Sequence, residues 1–263
     1  MLIKADLHIH TTLSACCNDA EQQVDIRVPL LAEKGLETVA FTDHIWRNPA
    51  IPASPWYAPQ NGDAILKLVR EIHNRDYPIR VLAGCEADMI APDKIGITKD
   101  FCEKMDVVLL STDHFHMREF MEDLPPCEAD KIAPYMMKFF RAGASCGLAD
   151  ILAHPLYPRG AYVDILPQIM EQISESELDE SFRMAAENNV GLEINGSCLT
   201  ELEKRGLYDC YLHTMKAAKK AGCKFTVGSD SHRLTGFDCY ELCNRFATDL
   251  GLANTDFYEQ ISR

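Results

Sequence analysis

The residues that could do chemistry begin almost at once. In "ADLHIH" (residues 5–10), Asp6, His8 and His10 alternate with Leu7 and Ile9. Side chains alternate faces along a strand, so His8 and His10 project to one side and can grip one metal ion. An isolated H-x-H is a weak signal, because core packing produces the same spacing. The signal strengthens down the chain. "FTDH" supplies Asp43 and His44, "GCEAD" supplies Glu86, and "STDHFH" supplies His114 and His116. "LAHP" supplies His154, "LEING" supplies Glu193 and Asn195, and "GSDSH" supplies Asp230 and His232, again at i, i+2. Burying so many imidazoles and carboxylates without partners would cost several kcal/mol. Shared cations use the lone pairs and balance the charge, so the set reads as a multi-metal centre rather than unconnected structural histidines.

These side chains need elements to position them. Short runs rich in Val, Ile and Leu predict strands at 3–8, 37–42, 79–84, 106–111, 150–153, 190–194 and 223–228, in the style of fully buried parallel strands. Helices are expected between them, at about 20–34, 62–75, 128–146, 174–189, 208–221 and 238–250. "SESE" fits a capping box, with Ser174 as cap and Glu177 reaching back. Gly222 and Gly251 fall where helices should stop. Alternating strands and helices imply a parallel sheet with helical cover, either open and doubly wound or closed into a barrel.

Seven of the nine histidines fall at or just past the C-terminal end of a predicted strand. That edge is where parallel α/β architectures build their sites. His73 and His213 fall in predicted helices and read as structural or surface residues. The Pro-rich stretch 47–62, with Trp56 and Tyr57, reads as a long loop that either covers a substrate or packs on the surface. No repeat or domain boundary is apparent, so residues 1–263 are expected to form a single catalytic domain.

The bulk numbers set limits. Hydrophobic residues make up 47% and charged ones 25%, as in ordinary soluble proteins. No apolar run is long enough to span a membrane. Met1 leads almost directly into the first strand, leaving no room for a signal peptide, so a cytoplasmic location is expected. The eleven cysteines are scattered and read as reduced thiols, mostly small core residues. The net charge of −14 and the lack of a basic stripe disfavour long nucleic acids. A small anionic substrate stays open, because local charge can oppose the global sign. Oligomeric state is not legible.

The ordered series H-x-H, T-D-H, G-x-E, a His after the fourth strand, A-H-P and S-D-S-H spans residues 6 to 232 and resembles the PHP (polymerase and histidinol phosphatase) domain family. The resemblance implies a distorted (β/α)7 TIM-like barrel of parallel strands. It also implies two or three divalent ions at the C-terminal mouth. By the same resemblance His8, His10, Glu86 and Asp230 would hold a first ion. Glu86 would bridge to a second, completed by His114 and His154, and His44 and His232 would hold a third. His116 replaces His114 if the register of the fourth strand is shifted. Many members carry a His or Asp six or seven residues after the H-x-H pair. Here Cys16 stands at that place, either as a thiolate ligand or as an ordinary loop thiol.

Other acids are expected outside the ligand set. Asp6 shares a face with His8 in a regular strand and would orient a ligand imidazole from behind. Asp43 and Asp113 each precede a His and would face away unless the loop bends. Glu193 either supports an imidazole or pairs with an arginine.

Mixed nitrogen and oxygen ligands suit Zn²⁺, Mn²⁺ or Fe²⁺. A water held between such ions ionises near neutral pH and becomes the nucleophile. The expected reaction is hydrolysis of a small-molecule phosphate ester by metal-bound hydroxide, as in histidinol phosphatases. Glu86, Asp230 and His232 are the expected catalytic residues, and Arg159 and Arg233 the expected phosphate ligands. Arg47 and Arg118 are weaker candidates. The alternatives are a phosphodiesterase or nuclease acting on short nucleotides, and a non-catalytic metal-binding regulatory domain. An amidohydrolase shares the H-x-H opening but bridges its ions with a carboxylated lysine, a role that Glu86 fills here.

Overall fold

The computed structural model describes residues 3–234 and 239–258. Seven strands run parallel in chain order: β1 (Ala5–Ile9), β2 (Thr38–Ile45), β3 (Arg80–Ala91), β5 (Val107–Ser111), β6 (Ile151–Ala153), β7 (Gly191–Asn195) and β8 (Phe225–Gly228). A two-residue strand, β4 (Lys94–Ile95), folds back antiparallel on the end of β3. The helices α1 (Val24–Glu33), α2 (Asp63–His73), α4 (Ala129–Ser145), α6 (Glu175–Glu187), α8 (Tyr208–Lys220) and α9 (Cys239–Asp249) match the six expected, except that residue 238 lies outside the described residues. Three short helices were not expected: α3 (Lys99–Cys102), α5 (Leu166–Glu171) and α7 (Gly196–Lys204).

Among the described residues, the sheet's two edges bond to each other at one end. Asp230 N–H donates to the His8 carbonyl at 2.8 Å, and His10 N–H donates to the Ser231 carbonyl at 3.1 Å. At the opposite end Phe257 pairs with Phe225, and Tyr258 N–H donates to the Phe225 carbonyl, covering the free edge of β8. The fold is therefore a distorted TIM-like barrel of seven parallel strands, pinned shut at the mouth where the strands' C-terminal ends lie. Leu7, Ala40, Leu82, Val107, Leu109, Ile151 and Ala153 form an apolar plug, while a larger core fills the space between sheet and helices.

One local irregularity positions His8 and Asp6. Asp6 lies opposite Val39 and Ile9 opposite Phe41, so three steps on β1 match two on β2. This is a bulge, which re-aims the side chains beside it. Leu7 reaches the apolar plug, His8 reaches the mouth, and Asp6 turns toward α9, where Tyr240 donates to it. The alternation expected from Asp6 to His10 thus holds for His8 and His10 and fails at Asp6.

Strands β2 and β3 run past their expected ends, so His44, Glu86 and Asp88 sit within strands. Ser174 caps α6 by accepting from Glu177 N–H at 3.2 Å. The Glu177 carboxylate, however, turns to Arg141 of α4 at 2.8 Å, so the reciprocal half of the capping box is not made. Among the described residues, no helix is long and apolar enough to cross a membrane.

Candidate metal centre

Six histidines and two carboxylates converge at the pinned mouth. They fall into three groups: His8, His10 and Asp230; Glu86, His114 and His154; and His10, His44 and His232. Within each group the ligand atoms lie within 4.8 Å of one another. Glu86 joins the groups. Its Oε2 lies 3.2 Å from His8 Nε2, 3.4 Å from His10 Nε2 and 3.1 Å from His44 Nδ1. Its Oε1 lies 3.1 Å from His154 Nε2 and 3.9 Å from His114 Nε2. Asp230 Oδ1 sits 3.3 Å from His10 Nε2 and 3.7 Å from His8 Nε2. His10 therefore faces both the first and the third group.

Four rings are hydrogen-bonded from behind through Nδ1, and a fifth, His114, stands close to a carboxylate there. His8 donates to Glu193 at 2.8 Å and His154 to Asp113 at 2.7 Å. His114 Nδ1 lies 2.7 Å from Asp88, and His232 Nδ1 donates to the Asp230 carbonyl at 3.0 Å. His10 donates to Ser14 Oγ at 3.0 Å, and Ser14 in turn donates to Asp43 at 2.6 Å. Carboxylates behind ligand imidazoles set the tautomer and raise the basicity of the inward nitrogen. Nε2 is then the ring nitrogen that each turns toward the mouth.

That arrangement fits a divalent cation on chemical grounds. His8 Nε2 and His10 Nε2 are 3.0 Å apart, with both Nδ1–H groups already donated outward. Without a cation His8 Nε2 must carry the proton shared there, and against its burial Glu193, Glu86 and Asp230 hold the His8 ring well above the usual imidazole range. A cation bound there would take the place of that proton. Burial opposes charge on Glu86, but His44 and His8 outweigh it and hold its carboxyl well below the usual range. Burial likewise opposes charge on Asp230, which His8 and Arg159 overcome. Burial and the nearby His232 push His10 down to about 4, and burial pushes His44 down to about 3. The acids stay ionised and His10 and His44 stay neutral, whereas nearby acids raise His8 and, against burial and Arg159, lift His154 to about 9, so metal binding at those two rings would displace a proton.

The centre opens into a cavity of about 550 Å³ lined by Cys16, Trp56, His116, Met117 and Arg159 together with His44, Glu86, His114, Asp230 and His232. Arg159 donates to Asp230 Oδ2 at 2.7 Å and keeps a quarter of its side chain exposed to the cavity. Cys16 lines the mouth but joins none of the three groups. His116 is exposed beside His114, 5.3 Å away ring to ring, and also joins none. Arg233 is exposed on a neighbouring groove that shares Asp230 and His232 with the mouth. Arg47 bonds the Asn61 carbonyl and Asp63 away from the cavity. His73 pairs with Asp106 at 2.9 Å and His213 is exposed on α8, and neither joins the three groups.

Asp88 and Ser14 escaped the sequence reading, and Tyr57 and Asp6 take roles other than those weighed for them. Asp88 stands two residues after Glu86 on the same face of β3, a spacing that could have flagged it, and it supports His114. Tyr57, fully buried, donates to the other Asp88 oxygen, so the Pro-rich loop packs into the rim and braces the site. Ser14 relays Asp43 to His10. Asp6 binds the Ser229 N–H at 2.9 Å and the His8 N–H at 3.2 Å, so it holds backbone rather than an imidazole.

A family model described as the PHP domain matches residues 6–197. The chain belongs to the PHP domain family. The matched region carries the candidate ligands from His8 to His154, while Asp230 and His232 lie beyond it. Curated relatives include a "Probable phosphatase" of Aeromonas hydrophila subsp. hydrophila, 25% identical over 252 residues, covering 95% of this chain and 87% of that one. Another "Probable phosphatase", from Shewanella sp. (strain MR-4), is 28% identical over 244 residues and covers 90% and 81%. Among solved structures, a histidinol phosphate phosphatase from Lactococcus lactis subsp. lactis, complexed with zinc, L-histidinol and phosphate, superposes with a TM-score of 0.59. It is 18% identical and covers 95% of this chain and 94% of that one, which shows a shared fold.

Proposed function

We propose that this PHP domain is a metal-dependent phosphatase that hydrolyses a small-molecule phosphate monoester. One observation carries the reading: Glu86 faces imidazoles from both of its oxygens, at the floor of an open cavity beside Arg159. His8, His10, Glu86 and Asp230 would hold one ion, Glu86, His114 and His154 a second, and His44 and His232, with His10 near, a third. Nitrogen and carboxylate donors without a committed thiolate suit Zn²⁺, Mn²⁺ or Fe²⁺. Bound ions supply an ionised water as nucleophile and neutralise charge on the phosphoryl oxygens.

The chain's own groups do the rest. Arg159 can turn a guanidinium edge from Asp230 toward a phosphate oxygen, a contact strengthened by charge. Asp113, Glu193, Asp88 and Ser14 keep the rings from reorienting as charge builds during the reaction. The cavity admits a small organic ester, and the net charge of −14 opposes polyanions. The names of the relatives and the ligands of the Lactococcus enzyme support a phosphate monoester, with histidinol phosphate one candidate beside sugar phosphates and nucleotides. Eleven free thiols suit a reducing, cytoplasmic setting, and residues 1–263 read as one catalytic unit.

Release of p-nitrophenol from its phosphate monoester and from the bis-phosphodiester tests the proposal. Chelator-sensitive turnover of the monoester is expected. Turnover of the diester alone would favour the phosphodiesterase reading, and bound ions without turnover of either would favour a regulatory domain.

A further inference from the structure

His232 differs from the other inward rings. It stands in the loop after β8, not in a strand, and its side chain is 28% exposed. An imidazole on an exposed loop should wander, yet the backbone around it is tied at four successive residues. Gln22 Nε2 donates to the Ser231 carbonyl at 2.8 Å, and Cys17 Sγ approaches the His232 carbonyl at 3.3 Å. Arg27 Nη1 donates to the Arg233 carbonyl at 3.0 Å, and Leu234 N–H donates to Asp19 Oδ2 at 2.9 Å. All four partners come from one stretch, residues 17–27, at the entrance to α1. Gln22 and Arg27 are wholly buried. A guanidinium taken out of water is costly and persists only where its partners hold it, so Arg27 fixes the loop as much as the loop fixes it.

We propose that Gln22 and Arg27 are positioning residues that hold the 231–234 loop so that His232 meets its ion. The proposal rests on the reading of His232 as a ligand. Neither residue touches the mouth. Each acts through a backbone carbonyl flanking His232, so loss of either donor frees the ring without removing a ligand. The neighbouring Gln23 is a built-in control: its amide donates to the Ala20 carbonyl on the exposed side of the same stretch.

The test is calorimetric titration of metal-free, full-length protein with Mn²⁺, with elemental analysis of the ions retained after gel filtration. Gln22→Met keeps length and removes the donor, and Arg27→Met does the same with greater risk to folding. Thermal melts of the metal-free proteins record stability separately. The expected result is that Gln22→Met weakens one class of ion about tenfold or more and leaves the others unchanged. His232→Ala should weaken the same class, and the Gln22→Met/His232→Ala double variant should lose little more. Gln23→Ala should match wild type. A folded Gln22→Met variant with wild-type ion number and affinities overturns the proposal, as does equal weakening of every ion. If His232→Ala leaves all ions in place, the ligand reading beneath it fails instead.

Discussion

His8 and Glu193 stand 185 positions apart and meet at 2.8 Å, the His8 Nδ1–H donated to Glu193 Oε1. Glu193 also accepts from His154 N–H at 2.7 Å and from Asn195 at 3.0 Å, so one buried acid from β7 braces candidate ligands of two groups. Replacing it with glutamine keeps the shape but removes the charge. Glu193→Gln should lower metal affinity about 10- to 100-fold, the usual effect of losing a carboxylate behind a ligand imidazole. Titration of the metal-free protein checks this; unchanged affinity would mean that His8 is not a ligand.

The same contact depends on a missing side chain. A Cβ on Gly228 would stand 1.9 Å from Glu193 Oε1 and 2.4 Å from His8 Cβ. Gly228→Ala must push the two apart, at a cost of about 1–3 kcal/mol for an overpacked site. Lower thermal stability and weaker ion binding should appear together. A change in stability alone would separate the contact from the metal centre.

Arg159 is expected to act on substrate rather than on the ions. Arg159→Ala should reduce kcat/KM for p-nitrophenyl phosphate by about 10- to 100-fold, given roughly 1.5–3 kcal/mol for a charged hydrogen bond. The number of ions per chain should stay the same, and inorganic phosphate should inhibit less. Loss of an ion in this variant would show that Arg159 works by holding Asp230.

Cys16 lines the mouth without joining an ion group. Cys16→Ser should therefore keep the ion content and most of the activity. Elemental analysis that finds one ion fewer would place the thiolate among the ligands.

The fold and most inward side chains were legible because both follow from periodicity. Strands of period two put His8 with His10, and the C-terminal strand ends gather acids and imidazoles. The supports were harder to read, because each depends on a departure from regular geometry. The bulge in β1 sent Asp6 outward to Tyr240. The bend after β5 brought Asp113 to His154, although it directly precedes His114 in sequence. His154, Arg159 and Asp230 hold left-handed backbone, with φ of 33°, 50° and 55°. Such conformations are uncommon outside glycine, and residue type alone does not announce them. α7 escaped notice because it starts directly from β7, with Asn195 ending the strand and capping the helix by accepting from Cys198 N–H at 2.9 Å.

Removal of the ions should also cost stability, because ligands that bind only the folded state stabilise it by mass action. The metal-free protein should melt at a lower temperature, and its Tm should climb with added Mn²⁺. A Tm indifferent to Mn²⁺ and chelator would argue against a preformed centre.

The central claim is that Glu86 joins separate ion groups. Elemental analysis of the purified wild-type protein and Glu86→Gln, on equal amounts of folded chain, tests it most directly. The account predicts divalent ions in the wild type, up to one for each of the three ligand groups. It predicts that Glu86→Gln loses ions from the groups on both sides of the carboxylate. Wild-type protein that is folded and free of divalent metal after growth with Zn²⁺, Mn²⁺ and Fe²⁺, or a Glu86→Gln variant with undiminished content, would contradict it.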